Sequence, residues 1–211
     1  MNTDADSRFF QGDLARFKTP PTGWTWGSFS QSDRNIRFGY AIPQTPRALV
    51  IGLQGLSEFA EKYFETAQDI LSRDMAFAMI DWAGQGKSTR LLHNPHKRHI
   101  TTFEDDIADL HMFLTRVLPK ECEQKAIDKM PVIFLGHSMG GHIGLRYLAK
   151  YPDNIKCAAF SSPMIDIHAV AAMPLWLRFG LSNVLNMFMH TFYVSGQGDW
   201  SPQQRDDPKQ N

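Results

Sequence analysis

Residues 131–160 read PVIFLGHSMGGHIGLRYLAKYPDNIKCAAF, and the order of elements in them decides the fold. Positions 132–135 are continuously apolar, which suits a central parallel strand covered on both faces. A helical stretch from Ser138 to about Lys150 follows, and a second short apolar run at 155–160 completes a strand, helix, strand series. Between the first strand and the helix stand Gly136, His137, Ser138, Met139 and Gly140, a GxSxG pentapeptide in strand-to-helix context. A serine on so sharp a turn is held in a strained backbone conformation, and bulky side chains two residues to either side would collide. Gly136 and Gly140 supply the room. The turn lifts the Ser138 hydroxyl over the carboxyl edge of the sheet and aims helix amides at it, where a developing oxyanion can be stabilised. The Met139 backbone N–H is the expected first donor.

Upstream, the same alternation recurs. Residues 24–32 and 36–42 read as a hairpin around a turn at 33–35, and 48–53 as a buried strand. Ser57 is placed to cap a helix whose apolar face is Phe59, Tyr63, Phe64, Ala67 and Leu71. A strand at 75–80 ends at Asp81, and a long loop runs to Ile100. Thr102 with Asp105 resembles a capping box, followed by a helix with Phe103, Ile107, Leu110, Leu114 and Val117 on one face. The pattern predicts an α/β fold, a mostly parallel sheet with helices on both sides.

The loop after the 48–53 strand carries Gln54, Gly55 and Leu56 directly before the predicted helix start, and the Leu56 amide is the expected second oxyanion donor. An ordinary turn is the plain alternative. Residues 81–88, DWAGQGKS, end like a phosphate-binding loop, but Asp81 replaces the first glycine, where its carboxylate would face the phosphates, and no helix follows directly. Asp81, Gly84, Gly86 and Ser88 are expected instead to shape a tight loop at the sheet's carboxyl edge. His137 and His142 flank Ser138, yet helical geometry aims neither at the hydroxyl, so both are expected to be structural.

Across 211 residues, 22 Lys and Arg balance 22 Asp and Glu, so no long-range field draws a polyanion, and nucleic acid is not an expected partner. Cys122 and Cys157 form no CxxC pair, which points to neither a disulfide framework nor a zinc site; no metal or cofactor is expected. The amino terminus lacks a basic and then apolar leader, and the apolar stretch 169–194 is interrupted by Pro174, Arg178, Asn183, Asn186 and His190, short of a membrane span. A reducing, cytoplasmic setting is expected, with transient contact at a membrane surface left open.

Four blocks carry a resemblance: LQGLSEFAEKYFE (53–65), DWAGQGKS (81–88), LGHSMGGHIGLRYLA (135–149) and SSPM (161–164). In that order they resemble the lysophospholipase L2 and monoacylglycerol lipase branch of the α/β-hydrolases. Gln54 stands where the wider lipase family usually has His, and Leu56 where the branch often has Arg. The resemblance implies hydrolysis of a carboxylic ester in a monoacyl lipid, with Ser138 acylated and then released by water. It also implies a core over 1–165 and the beginning of a helical cap, with a polar tail, over 166–211. In this fold the triad acid and histidine follow the serine on loops after later strands. Asp166, His168, His190 and Asp199 read as cap residues rather than as those partners. The expectation is a chain that stops inside the cap, lacks the last strands and helix, and is weakly active or inactive alone. A non-catalytic ligand- or partner-binding protein, and an acyltransferase or peptidase on the same scaffold, are the alternatives.

Overall fold

The computed structural model describes residues 16–100, 102–122, 130–166, 173–174, 176–178 and 180. Six strands form one sheet in the order β1-β2-β4-β3-β5-β6: β1 Thr25–Gln31, β2 Arg34–Ala41, β3 Leu49–Leu53, β4 Ala76–Ile80, β5 Val132–His137 and β6 Cys157–Ser161. The β1–β2 and β2–β4 pairs are antiparallel, whereas β4, β3, β5 and β6 run parallel. The expected fold class therefore holds. The hairpin turn is tighter than predicted: Gln31 pairs with Arg34, and Ser32 takes a left-handed φ of 53° between them.

Strand alternation divides the core between the two faces of the sheet. In β4, Ala76, Ala78 and Ile80 join one cluster while Phe77 and Met79 join the other. The first cluster packs beneath α2 (Phe103–Met112) and α4 (Ser138–Lys150), with Ile107, Leu110, Ile143 and Tyr147 buried in it. The second is covered by α1 (Phe64–Leu71) through Ala67. Each large apolar side chain fully buried here is worth about 1.5–3 kcal/mol relative to exposure. Central strand β5 is less evenly covered than its sequence suggests, since Phe134 is buried while Ile133 and Leu135 are only partly so.

Two helix starts differ in an instructive way. Thr102 caps α2, its side-chain oxygen accepting from the Glu104 N–H at 3.2 Å, but without the reciprocal bond of the expected box, since the Asp105 carboxylate lies toward Arg34 at 3.7 Å. Ser57 caps nothing; it sits at φ 62°, a 3₁₀ turn (Ala60–Tyr63) begins only after Phe59, and α1 follows that turn. The helix after α2 also departs from the predicted face. A π turn over Phe113–Val117 joins α2 to α3 (Leu118–Glu121), and the fully buried positions become Phe113 and Leu118, with Leu114 and Val117 half-buried. Pro119 explains it: proline has no N–H to give the carbonyl four residues back, and its ring crowds that carbonyl.

Of the cap expected over 166–211, only Asp166 and a few residues between 173 and 180 are described, with Arg178 donating to the Asp166 carboxylate at 2.8 Å. His168, His190 and Asp199 lie outside the described residues. No helix among the described residues is long and apolar enough to cross a membrane.

Candidate active site

Strand β5 ends at His137, which is fully extended (φ −124°, ψ 139°), and α4 begins at the next residue. Ser138 makes the reversal with a left-handed φ of 49°, a conformation that costs any residue with a Cβ. Its carbonyl accepts the Met164 N–H at 2.9 Å, which ties the 161–164 loop to the turn. Gly136 and Gly140 are where crowding demands them. A Cβ on Gly140 would stand 2.1 Å from the Leu53 carbonyl oxygen, and one on Gly136 would stand 2.8 Å from the Phe160 ring. Helix α4 can thus lie directly on β3. Met139 is buried, and its N–H belongs to the first turn of α4, where amides have no carbonyl within the helix to bond.

The 54–58 loop closes over the same turn. A Cβ on Gly55 would be 3.3 Å from the Ser138 Cβ and 3.2 Å from the His137 ring, so the segment predicted to supply the second donor does lie against the serine. Leu56 beside it is 41% exposed. The Gly55 N–H donates to Glu58 Oε2 at 2.7 Å, and the Tyr63 hydroxyl donates to the same oxygen at 2.8 Å. Burial, and then Glu58 itself, push the Tyr63 hydroxyl well above its ordinary pKa, so it stays a donor.

Residues 81–88 form the tight loop expected of them. The fully buried Asp81 carboxylate accepts from Arg37 Nε at 2.6 Å, from the Ala60 N–H at 2.9 Å and from the Lys87 N–H at 2.9 Å. Arg37 also grips both Glu61 oxygens at 2.6 Å. Burial works against the Arg37 charge, but Glu61 and Asp81 outweigh it and raise its pKa. A carboxylate so engaged cannot cradle a phosphate. The Trp82 indole N–H donates to the Gln54 carbonyl at 2.9 Å, and the Gln85 amide reaches the 55–58 backbone.

Sequence reasoning gave Arg98 no role, yet it packs under the site. It contacts the Met139 sulfur, donates from Nε to the Ala83 carbonyl at 3.3 Å and donates from Nη2 to both Asp106 oxygens at 3.1 and 3.2 Å. Burial, opposed by Arg98, pushes the Asp106 carboxyl up to about 6. A lone arginine in a long loop offers no pattern by which to find it. The His142 ring packs edge-on to Phe103 with centroids 4.7 Å apart, and burial, then Arg146, lower its pKa. Among the described residues no histidine or carboxylate is hydrogen-bonded to the Ser138 hydroxyl, and none group as a metal site.

A strained serine between a parallel strand and a helix, with a second backbone loop against it, is the geometry of one fold family. The family model described as serine aminopeptidase, S33 matches residues 44–211. The chain belongs to this family of α/β-hydrolases. Within it, the lysophospholipase L2 of Escherichia coli (strain K12) is 31% identical over 171 residues, covering 80% of this chain and 48% of that protein. The monoglyceride lipase of Rattus norvegicus is 31% identical over 146 residues, covering 66% of this chain and 45% of its own. A soluble variant of monoglyceride lipase from Saccharomyces cerevisiae, solved with a substrate analogue, superposes with a TM-score of 0.57 at 20% identity, covering 81% of this chain and 54% of that one. That likeness speaks to fold alone. The chain spans about half the length of the curated relatives it matches.

Proposed function

We propose that this is the nucleophile-bearing part of a serine hydrolase that cleaves carboxylic esters of monoacyl lipids, of lysophospholipase or monoacylglycerol lipase type. The Ser138 hydroxyl oxygen attacks the ester carbonyl carbon, and the negative charge that develops on the carbonyl oxygen is met by the N–H groups of Leu56 and Met139. The proton that Ser138 gives up passes through a general base outside the described residues to the leaving alcohol as the tetrahedral intermediate collapses to an acyl-serine; water then releases the fatty acid by the same route and restores the hydroxyl. Gly136 and Gly140 let the turn form. Contact with a lipid surface is transient.

The observation that carries this reading is the left-handed, half-buried Ser138 at the head of α4 with the 54–58 loop against it. The names of the relatives at 31% identity favour lipid esters; the family's description favours amides, so both bonds belong in the test. A fluorophosphonate probe is expected to modify the chain at Ser138 and to leave Ser138→Ala untouched. Hydrolysis of a monoacylglycerol or a lysophospholipid is expected to exceed that of an aminoacyl p-nitroanilide. Equal labelling of Ser138→Ala, or preference for the anilide, refutes the proposal.

A further inference from the structure

Three consecutive amides cross the face of the site, and their partners differ. The Gly55 N–H is held by Glu58 and the Ser57 N–H donates to Gln85 Oε1 at 2.8 Å, whereas the Leu56 N–H between them takes no partner among the described residues. The Gln85 amide uses both of its donors and its oxygen here. Besides accepting from Ser57, its Nε2 donates to the Gly55 carbonyl at 3.0 Å and to the Glu58 carbonyl at 2.9 Å. With Trp82 holding the Gln54 carbonyl, residues 81–88 fix the 54–58 segment on both sides of Leu56, whose amide stays without a partner among the described residues.

Gln85 is itself fixed. It is 3% exposed, its backbone is turned by bonds to Trp82 and Ser88, and the next turn is anchored on Asp81 through the Lys87 N–H. A buried primary amide with one acceptor and two donors satisfied has no other place of comparable energy to go. The conformation it enforces is costly, since Ser57 is left-handed at φ 62°. Such a conformation persists only where the surroundings over-determine it.

We propose that Gln85 is a positioning residue that presets the Leu56 N–H toward the oxyanion. This rests on Leu56 being an oxyanion donor. Glutamine is required for its paired functions: glutamate would set a carboxylate against two carbonyl oxygens, and leucine would leave those carbonyls and the Ser57 N–H unmet. Without the clamp Ser57 relaxes and the Leu56 N–H turns away, which weakens transition-state binding while leaving substrate binding alone.

The test compares the 211-residue chain with Gln85→Leu, and with Gln85→Asn should the leucine variant not fold. Residue-resolved amide hydrogen exchange is the first measurement. The Gly55 amide is the reporter, because its own partner is Glu58 and not the residue changed; its exchange is expected to rise about tenfold or more, with β3 and β5 amides unchanged. An unchanged Gly55 rate overturns the clamp. Phosphonylation of Ser138 is the second measurement, with its maximal rate expected to fall about tenfold or more and the half-saturating probe concentration to stay within about twofold. Faster exchange with the phosphonylation rate unaltered overturns the positioning role. A wild-type chain that does not react with the phosphonate strikes at the proposed function instead, and the exchange rates still decide the clamp.

Discussion

Gly140→Ala places the sharpest demand on the site's architecture. The added methyl carbon would sit 2.1 Å from the Leu53 carbonyl oxygen, 2.4 Å from its carbon and 2.6 Å from the Gln54 oxygen. Ordinary contact between such atoms lies near 3.5 Å, so α4 and β3 must separate by about 1 Å. The obstacle is the backbone of a central strand with neighbours on both sides, and no side chain can rotate out of the way. Overpacking typically costs about 1–3 kcal/mol, and this case belongs at the upper end, about 3 kcal/mol. With a urea m-value of about 2 kcal/mol/M, the unfolding midpoint followed by circular dichroism is expected to drop by about 1.5 M. Gly136→Ala is the internal comparison, because its nearest obstacle is the half-buried Phe160 ring, which can shift; about 1 kcal/mol is expected. A Gly140→Ala midpoint within about 0.3 M of wild type, or a larger loss for Gly136→Ala, refutes the reasoning.

Two further outcomes follow from the buried charges. Between the unfolded carboxyl value near 3.9 and about 6, the folded chain keeps a proton on Asp106 that the unfolded chain has released, so this group's contribution to stability falls as pH rises and is gone above about 6. The carboxyl is 4% exposed and is faced by Arg98, with Asp109 and Arg34 also acting on it. The effect reaches about 3 kcal/mol, and Asp106→Asn is expected to flatten the profile of unfolding free energy against pH between about 4 and 6; a slope that persists refutes it. Arg37→Met leaves the Asp81 carboxylate buried with two backbone N–H groups in place of its cation, a loss of about 3–5 kcal/mol. A fall in Tm of about 10 °C is expected by calorimetry, and a fall below about 3 °C contradicts the reading of Arg37 as the cation that offsets the buried Asp81 charge.

What was legible in the sequence is what neighbouring residues decide. The helix from Ser138 to Lys150, the Thr102 cap and the β5–α4 turn all depend on residues within one or two turns of one another, and each falls where its pattern puts it. The placement of Gly55 against Ser138 was also within reach, because parallel strands β3 and β5 end at the same edge of the sheet. Ser57 misled because its conformation is set by Gln85, 28 positions away, rather than by the helix after it. Asp81 reads as a loop residue, but its partner Arg37 lies 44 positions earlier on another strand. Arg98 was invisible for the same reason: nothing local announces its bonds to Asp106 and Ala83.

The π turn at Phe113–Val117 has a consequence for any relative that differs in length there. An α-helix advances about 100° per residue, so a single extra residue in one turn rotates everything downstream by that amount. Phe113 and Leu118, five apart, share the core side only because of that rotation. Deleting one residue between them would swing Leu118 and Cys122 toward water, and the irregularity would prove to have been the phase correction that keeps both ends of the rod in register with the sheet.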